Sequence, residues 1–151
     1  MFDWTGAEAA DNGLREILER RIVKRPIDAA PDVYRDASPI FRITPDAPPA
    51  LVVHGDLDTL APVEQARAFV AKLRTVSREP VVYVELRGAH HAFEVFNSIR
   101  TMHAIAGVDL FLAWLLNAER DARSRSDASP SRTGASARWP TGPTTTARTE
   151  P

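Results

Sequence analysis

Cysteine is absent from the 151 residues, which excludes a disulfide framework and any thiolate metal site and leaves the redox compartment open. Net charge is nearly absent too. The 19 Lys and Arg stand against 20 Asp and Glu, so the balance gives no reason to expect nucleic acid or an anionic membrane as partner. No uninterrupted apolar run approaches the roughly 20 residues that cross a bilayer. The start, Met1-Phe2-Asp3-Trp4-Thr5, has neither the basic nor the apolar region of a secretion signal. A cytoplasmic protein without a membrane span is the resulting expectation. The four histidines show no H-x-x-x-H or H-x-H spacing, so no metal and no cofactor is expected. Large apolar residues, Trp139 excepted, are missing from 121–151. Such a composition buries too little surface to offset the entropy of ordering. Residues 121–151 therefore read as a disordered tail, and the foldable part as 1–120.

What is present before Asp121 is an α/β pattern. Leu14, Ile17, Leu18 and Ile22 fall at helical spacing, with Asp11 or Asn12 available as a cap and Pro26 as the stop. Residues 26–49 are proline-rich and read as a connecting loop, in which Pro31 opens a single helical turn through Tyr34. Ala50-Leu51-Val52-Val53 is a continuous apolar run and predicts a strand covered on both faces. Ala66, Phe69, Val70 and Leu73 then mark one face of a helix from Val63 to near Ser77. Val81–Leu86 predicts a second strand, so 50–86 spell a right-handed parallel βαβ unit. A last helix is expected from Ser98 to Ala118, with Ile105, Val108, Leu112 and Leu115 on one face.

The chemistry sits where the strands end. In open α/β sheets ligands and catalytic groups gather beyond the carboxyl ends of the strands. His54-Gly55-Asp56-Leu57-Asp58 follows the first strand, and Gly88-Ala89-His90-His91-Ala92-Phe93 follows the second. Imidazole is a competent base near neutrality, and a carboxylate fixes its tautomer and stabilises the imidazolium. Asp58 and His91 therefore read as the acid and base of a nucleophilic triad. Taken alone, Asp58 reads first as a cap for the helix at Val63, and the context of the second motif turns the reading to the triad acid. Asp56 reads as a solvated turn residue, His54 as a support for the turn, and His90 and His103 as surface residues. Phe93 and Phe96 read as packing under the histidine loop, and Trp114 as core.

These motifs resemble the carboxyl-terminal part of an α/β-hydrolase of the esterase/lipase group. There the order is serine, acid, histidine. The family's H-G-x-x-D-x-x-V-P segment after strand seven is matched by His54, Gly55, Asp58 and Pro62, with Ala61 replacing the apolar residue. Its G-x-x-H-x-F segment after strand eight is matched by Gly88, His91 and Phe93. Phe2-Asp3-Trp4-Thr5 looks like the end of strand six, and the likeness covers about residues 2–117. The resemblance implies a partial α/β-hydrolase fold, its last parallel strands with flanking helices, and hydrolysis of a small-molecule carboxylic ester through an acyl-enzyme.

One part of the family pattern is missing. No G-x-S-x-G elbow and no H-G-G-G oxyanion segment occurs. Ser38, Ser77 and Ser98 have no glycine two places away, and Ser136 matches half an elbow but follows the histidine. The reading that results is a chain holding acid and histidine only, inactive by itself. The alternative is a non-catalytic remnant or a split-gene half. Either needs an amino-terminal partner or invites self-association.

Overall fold

The computed structural model describes residues 2–5 and 13–128. The caps expected at Asp11 or Asn12, and the greater part of the expected tail, lie outside the described residues. A first compact unit covers Met1–Val108 and a second begins at Asp109.

The first unit is built on two parallel strands, β1 (Ala50–Gly55) and β2 (Val81–Leu86), in register from Ala50 against Val81 to Gly55 against Leu86. Between them runs α3 (Val63–Val76), which packs on both strands. Val63, Ala66, Val70 and Leu73 are its buried apolar residues, at the spacing that the sequence shows. Both strands start and end together, so the residues after Gly55 and Leu86 emerge side by side.

Several expectations need correcting. β1 is not covered on both faces: Ala50–Val53 are only half-buried, because among the described residues the sheet has two strands and α3 as its covering helix. Residues 2–5 do not form a strand. They are tied down by side chains instead. Buried Gln65 accepts the Phe2 and Asp3 N–H groups through Oε1 at 3.2 and 3.4 Å, buried Ser38 accepts Trp4 N–H at 2.7 Å, and Phe2 stacks on Phe69 with centroids 4.5 Å apart. The first helix is short, α1 (Leu14–Ile17), and continues as a π-turn over Leu18–Ile22. Its start is Gly13 in the left-handed region (φ 75°), which glycine adopts without a Cβ penalty.

The proline-rich stretch is more structured than a loop. Pro31 opens α2 (Pro31–Ala37), a position that costs proline nothing because the N–H it lacks has no intrahelical partner there. Tyr34 of α2 is almost fully buried and its hydroxyl donates to the Arg25 carbonyl at 2.6 Å.

The final helix, α4 (Ile99–Ala128), runs past the expected stop at Ala118 into residues assigned to the tail. Polar composition argues against a core, not against a helix. Glu119 and Arg123 pair at helical spacing, and Arg125 reaches back to the Asp121 carbonyl. Over Ile99–Ser126 this helix is long and apolar enough to cross a membrane by length and composition, which a search for uninterrupted apolar runs misses because Arg100, His103 and Asp109 punctuate it. Within it the Phe111 ring is buried and lies 6.0 Å from that of Trp114, which is half-buried.

Candidate active site

The turn after β1 is folded against the loop after β2. Asp56 N–H donates to Leu86 O at 3.2 Å and Leu57 N–H to Ala89 O at 3.0 Å. Gly55 makes this approach possible. A Cβ there would lie 2.3 Å from Ala89 O, so any side chain would push the two segments apart.

The approach brings together the two residues singled out from the sequence. His91 Nδ1 lies 2.9 Å from Asp58 Oδ2 and 3.2 Å from Oδ1. A carboxylate only accepts, so Nδ1 carries the proton and Nε2 of the neutral ring holds the lone pair. The Asp58 side chain is 6% exposed and that of His91 50%. The acid is thus enclosed while the imidazole stands at the surface. Among the described residues, no hydrogen bond reaches Nε2 of His91.

Asp58 is held from several directions. Its Oδ1 accepts the Leu60 and Ala61 N–H groups at 3.0 and 2.8 Å. It therefore satisfies the turn just before α3, whose own start at Pro62 has no side-chain cap. Burial pushes its pKa up, but the Ala61 N–H, His91 and the Leu60 N–H together outweigh burial and hold the carboxyl below its ordinary value. His54 is buried on the other side. Its Nε2–H donates to Ala61 O at 2.8 Å and lies 3.5 Å from Asp58 Oδ2. It braces the acid and its turn, and its donor is already committed.

The His91 loop is shaped by its backbone. Gly88 opens it at φ 69°, and Ala92, directly after the histidine, also takes the left-handed region at φ 54°, uncommon for a residue with a Cβ. Thr101 anchors the far end, its hydroxyl 2.7 Å from Phe96 O and 3.0 Å from Phe93 O. Phe96 is 72% exposed and does not pack under the loop, while Phe93 lines a cleft of about 180 Å³. Phe2, His54, Asp58 and His91 line the same cleft. Phe96 lies exposed because Thr101 caps its carbonyl and turns the chain into α4. Among the described residues, no group of three or more His, Asp or Glu is arranged to hold a metal. His90 and His103 are exposed.

Sequence reasoning missed two contributors. Asp56 was read as solvated, yet its Oδ1 accepts Gly88 N–H at 2.6 Å. Gln65 was read only as part of a helix, yet it holds residues 2 and 3 beside the cleft. Neither position has a sequence signal, since each acts on a backbone group far along the chain.

Chemically, the arrangement can serve as a base with its orienting acid. The imidazole has one nitrogen committed to a carboxylate and the other open for a proton. A family model described as BD-FAE matches residues 2–73. Esterase LipC of Mycobacterium tuberculosis is 47% identical over 112 residues, covering 74% of this chain and 28% of that protein. The probable carboxylic ester hydrolase LipM of the same organism is 46% identical, over 75% of this chain and 26% of that protein. The chain thus spans less than a third of the length of these relatives. A thermophilic esterase of Thermogutta terrifontis, solved with propionate, superposes with a TM-score of 0.52 at 22% identity, over 77% of this chain and 39% of that one. Its native form gives 0.53 at 21% identity, over 78% and 38%. At such identity the likeness shows the fold. Taken with the curated relatives, these findings make the chain a member of the α/β-hydrolases of the esterase/lipase group, with part of that fold in these residues.

Proposed function

We propose that this chain supplies the acid and histidine of a carboxylic ester hydrolase that works through an acyl-enzyme. The observation that carries the reading is the 2.9 Å contact between His91 Nδ1 and Asp58 Oδ2, with the other ring nitrogen left open at the surface. In the reaction, His91 Nε2 takes the proton of an attacking serine hydroxyl and later returns it to the leaving alcohol. Asp58 keeps the ring in the Nδ1–H form and offsets the positive charge it gains. The serine and the oxyanion donors are to come from another polypeptide segment, since no G-x-S-x-G stands in the 151 residues.

Magnitude sets what these residues do unaided. A triad enzyme stripped of a member retains roughly 10³–10⁴-fold over water through its oxyanion hole and substrate binding. With no oxyanion segment in the sequence, p-nitrophenyl butyrate hydrolysis by the purified chain is expected to match free imidazole and to be unchanged in His91→Ala. A His91-dependent rate well above that level would refute this division of labour. A second reading, a non-catalytic remnant, is favoured by the same missing elbow. It is distinguished by supplying the nucleophile, as taken up in the Discussion.

A further inference from the structure

Four residues, Arg87 to His90, separate the strand end at Leu86 from His91, and across them the chain must deliver an imidazole to Asp58. Side chains from outside the loop grip it at one point. Asp56 Oδ1 accepts the Gly88 N–H at 2.6 Å, a charge-assisted bond, and Arg100 Nη1 donates to the Gly88 carbonyl at 3.0 Å. Gly88 is the residue whose left-handed backbone (φ 69°) turns the chain away from β2. Its neighbour Ala89 is fully buried and holds Leu57 N–H, one residue from Asp58. The grip thus fixes a pivot only a short lever from His91, and Asp56 itself belongs to the turn that carries Asp58.

We infer that Asp56 and Arg100 are positioning residues for His91: by holding the two backbone polar groups of Gly88, they set the imidazole within hydrogen-bonding reach of Asp58. The inference rests on the reading of Asp58 and His91 as the working pair. Neither residue touches the reacting atoms. Each acts through the loop, and Asp56 couples the two halves of the pair because one short turn carries both its own carboxylate and that of Asp58.

The test is the tautomer of His91 in the full chain labelled with ¹⁵N-histidine, read from ring-nitrogen shifts at a pH where imidazoles are neutral. Wild type is expected to show His91 as the Nδ1–H form. His90 and His103, both exposed, provide the unconstrained average, and buried His54, an Nε2–H donor, reports that the fold is intact. Asp56→Ala is expected to move His91 to the unconstrained average, Arg100→Gln to move it part of the way, and Asp56→Asn, which keeps an acceptor for Gly88 N–H, to restore the wild-type signature. A merely structural tether would leave the tautomer alone wherever His54 is unchanged. If Asp56→Ala disturbs His54, Arg100→Gln decides, since it leaves the turn untouched. A wild-type His91 signature in a folded Asp56→Ala or Arg100→Gln chain overturns the inference. Asp58→Asn separates the two levels: if it too leaves His91 unchanged, the pairing of Asp58 with His91 has failed, and not merely its positioning.

Discussion

Substituting Gly55 by alanine tests the close approach on which the site depends. The backbone there is outside the left-handed region, so alanine meets no conformational obstacle. Space is the obstacle. The new Cβ would stand 2.3 Å from Ala89 O and 2.7 Å from its carbonyl carbon, and the nearest ordinary C···O approach is about 3.3 Å. The two segments must therefore part by about 1 Å. That stretches the 3.0 Å bond from Leu57 N–H to Ala89 O beyond hydrogen-bonding range. One lost hydrogen bond costs about 1 kcal/mol, and overpacking a tight contact about 1–3 more, giving roughly 2–4 kcal/mol in all. Against a domain stability of about 5–15 kcal/mol this is a large loss. Urea titration followed by far-ultraviolet circular dichroism, at one fixed chain concentration, measures it. The expected result is a clearly lower midpoint at unchanged slope. A Gly55→Ala chain with the wild-type midpoint would refute the steric argument and the juxtaposition built on it.

Other outcomes follow from the same contacts. Ser38→Ala removes the buried hydroxyl that accepts Trp4 N–H and donates to Tyr34 O, and is expected to lower stability by about 1–3 kcal/mol in the same titration. Asp58 is depressed in the folded chain, so its contribution is fully present above the ordinary carboxyl range and is lost as pH falls through its lower folded value. Acid unfolding of Asp58→Asn is accordingly expected to be less steep than that of wild type, and identical acid profiles would contradict the assignment. Glu85, which Arg67 and Tyr83 hold at a pKa of about 2, adds a pH dependence of the same sign. Glu85→Gln is expected to flatten the acid limb at low salt and much less at high salt. With β1 and β2 paired only to each other among the described residues, and Ile99, Met102 and Ile105 exposed on α4, sedimentation velocity is expected to show self-association of the purified chain. A single monomeric boundary at all concentrations would contradict it.

The parts of the fold that local pattern determines were readable. Val63–Val76 carries a helical stripe, Ala50–Val53 and Val81–Leu86 are apolar and β-branched, and their parallel pairing follows from the helix between them. Asp58 and His91 could be picked out because each follows a strand in a recognisable spacing. What was not readable depends on distant partners. Residues 2–5 look like the end of a strand only through the family resemblance, yet a strand exists only with a neighbour, and here Gln65 and Ser38 take up their N–H groups. Asp56 looks like any turn aspartate until Gly88, far along the chain, presents its N–H. The helix beyond Ala118 was hidden because composition was asked about burial, whereas Glu119 and Arg123 support a helix with no core at all.

The central claim is that Asp58 and His91 form a base and its orienting acid that lack a nucleophile and oxyanion donors. Its most direct test is to fuse the chain behind a polypeptide carrying the G-x-S-x-G and H-G-G-G segments of an α/β-hydrolase and to measure p-nitrophenyl ester turnover. The account predicts turnover that vanishes in His91→Ala and falls by about 10⁴ in Asp58→Asn, the loss known when a triad imidazole is left in the wrong tautomer. A soluble fusion that is inactive, or whose turnover is indifferent to His91, would contradict it.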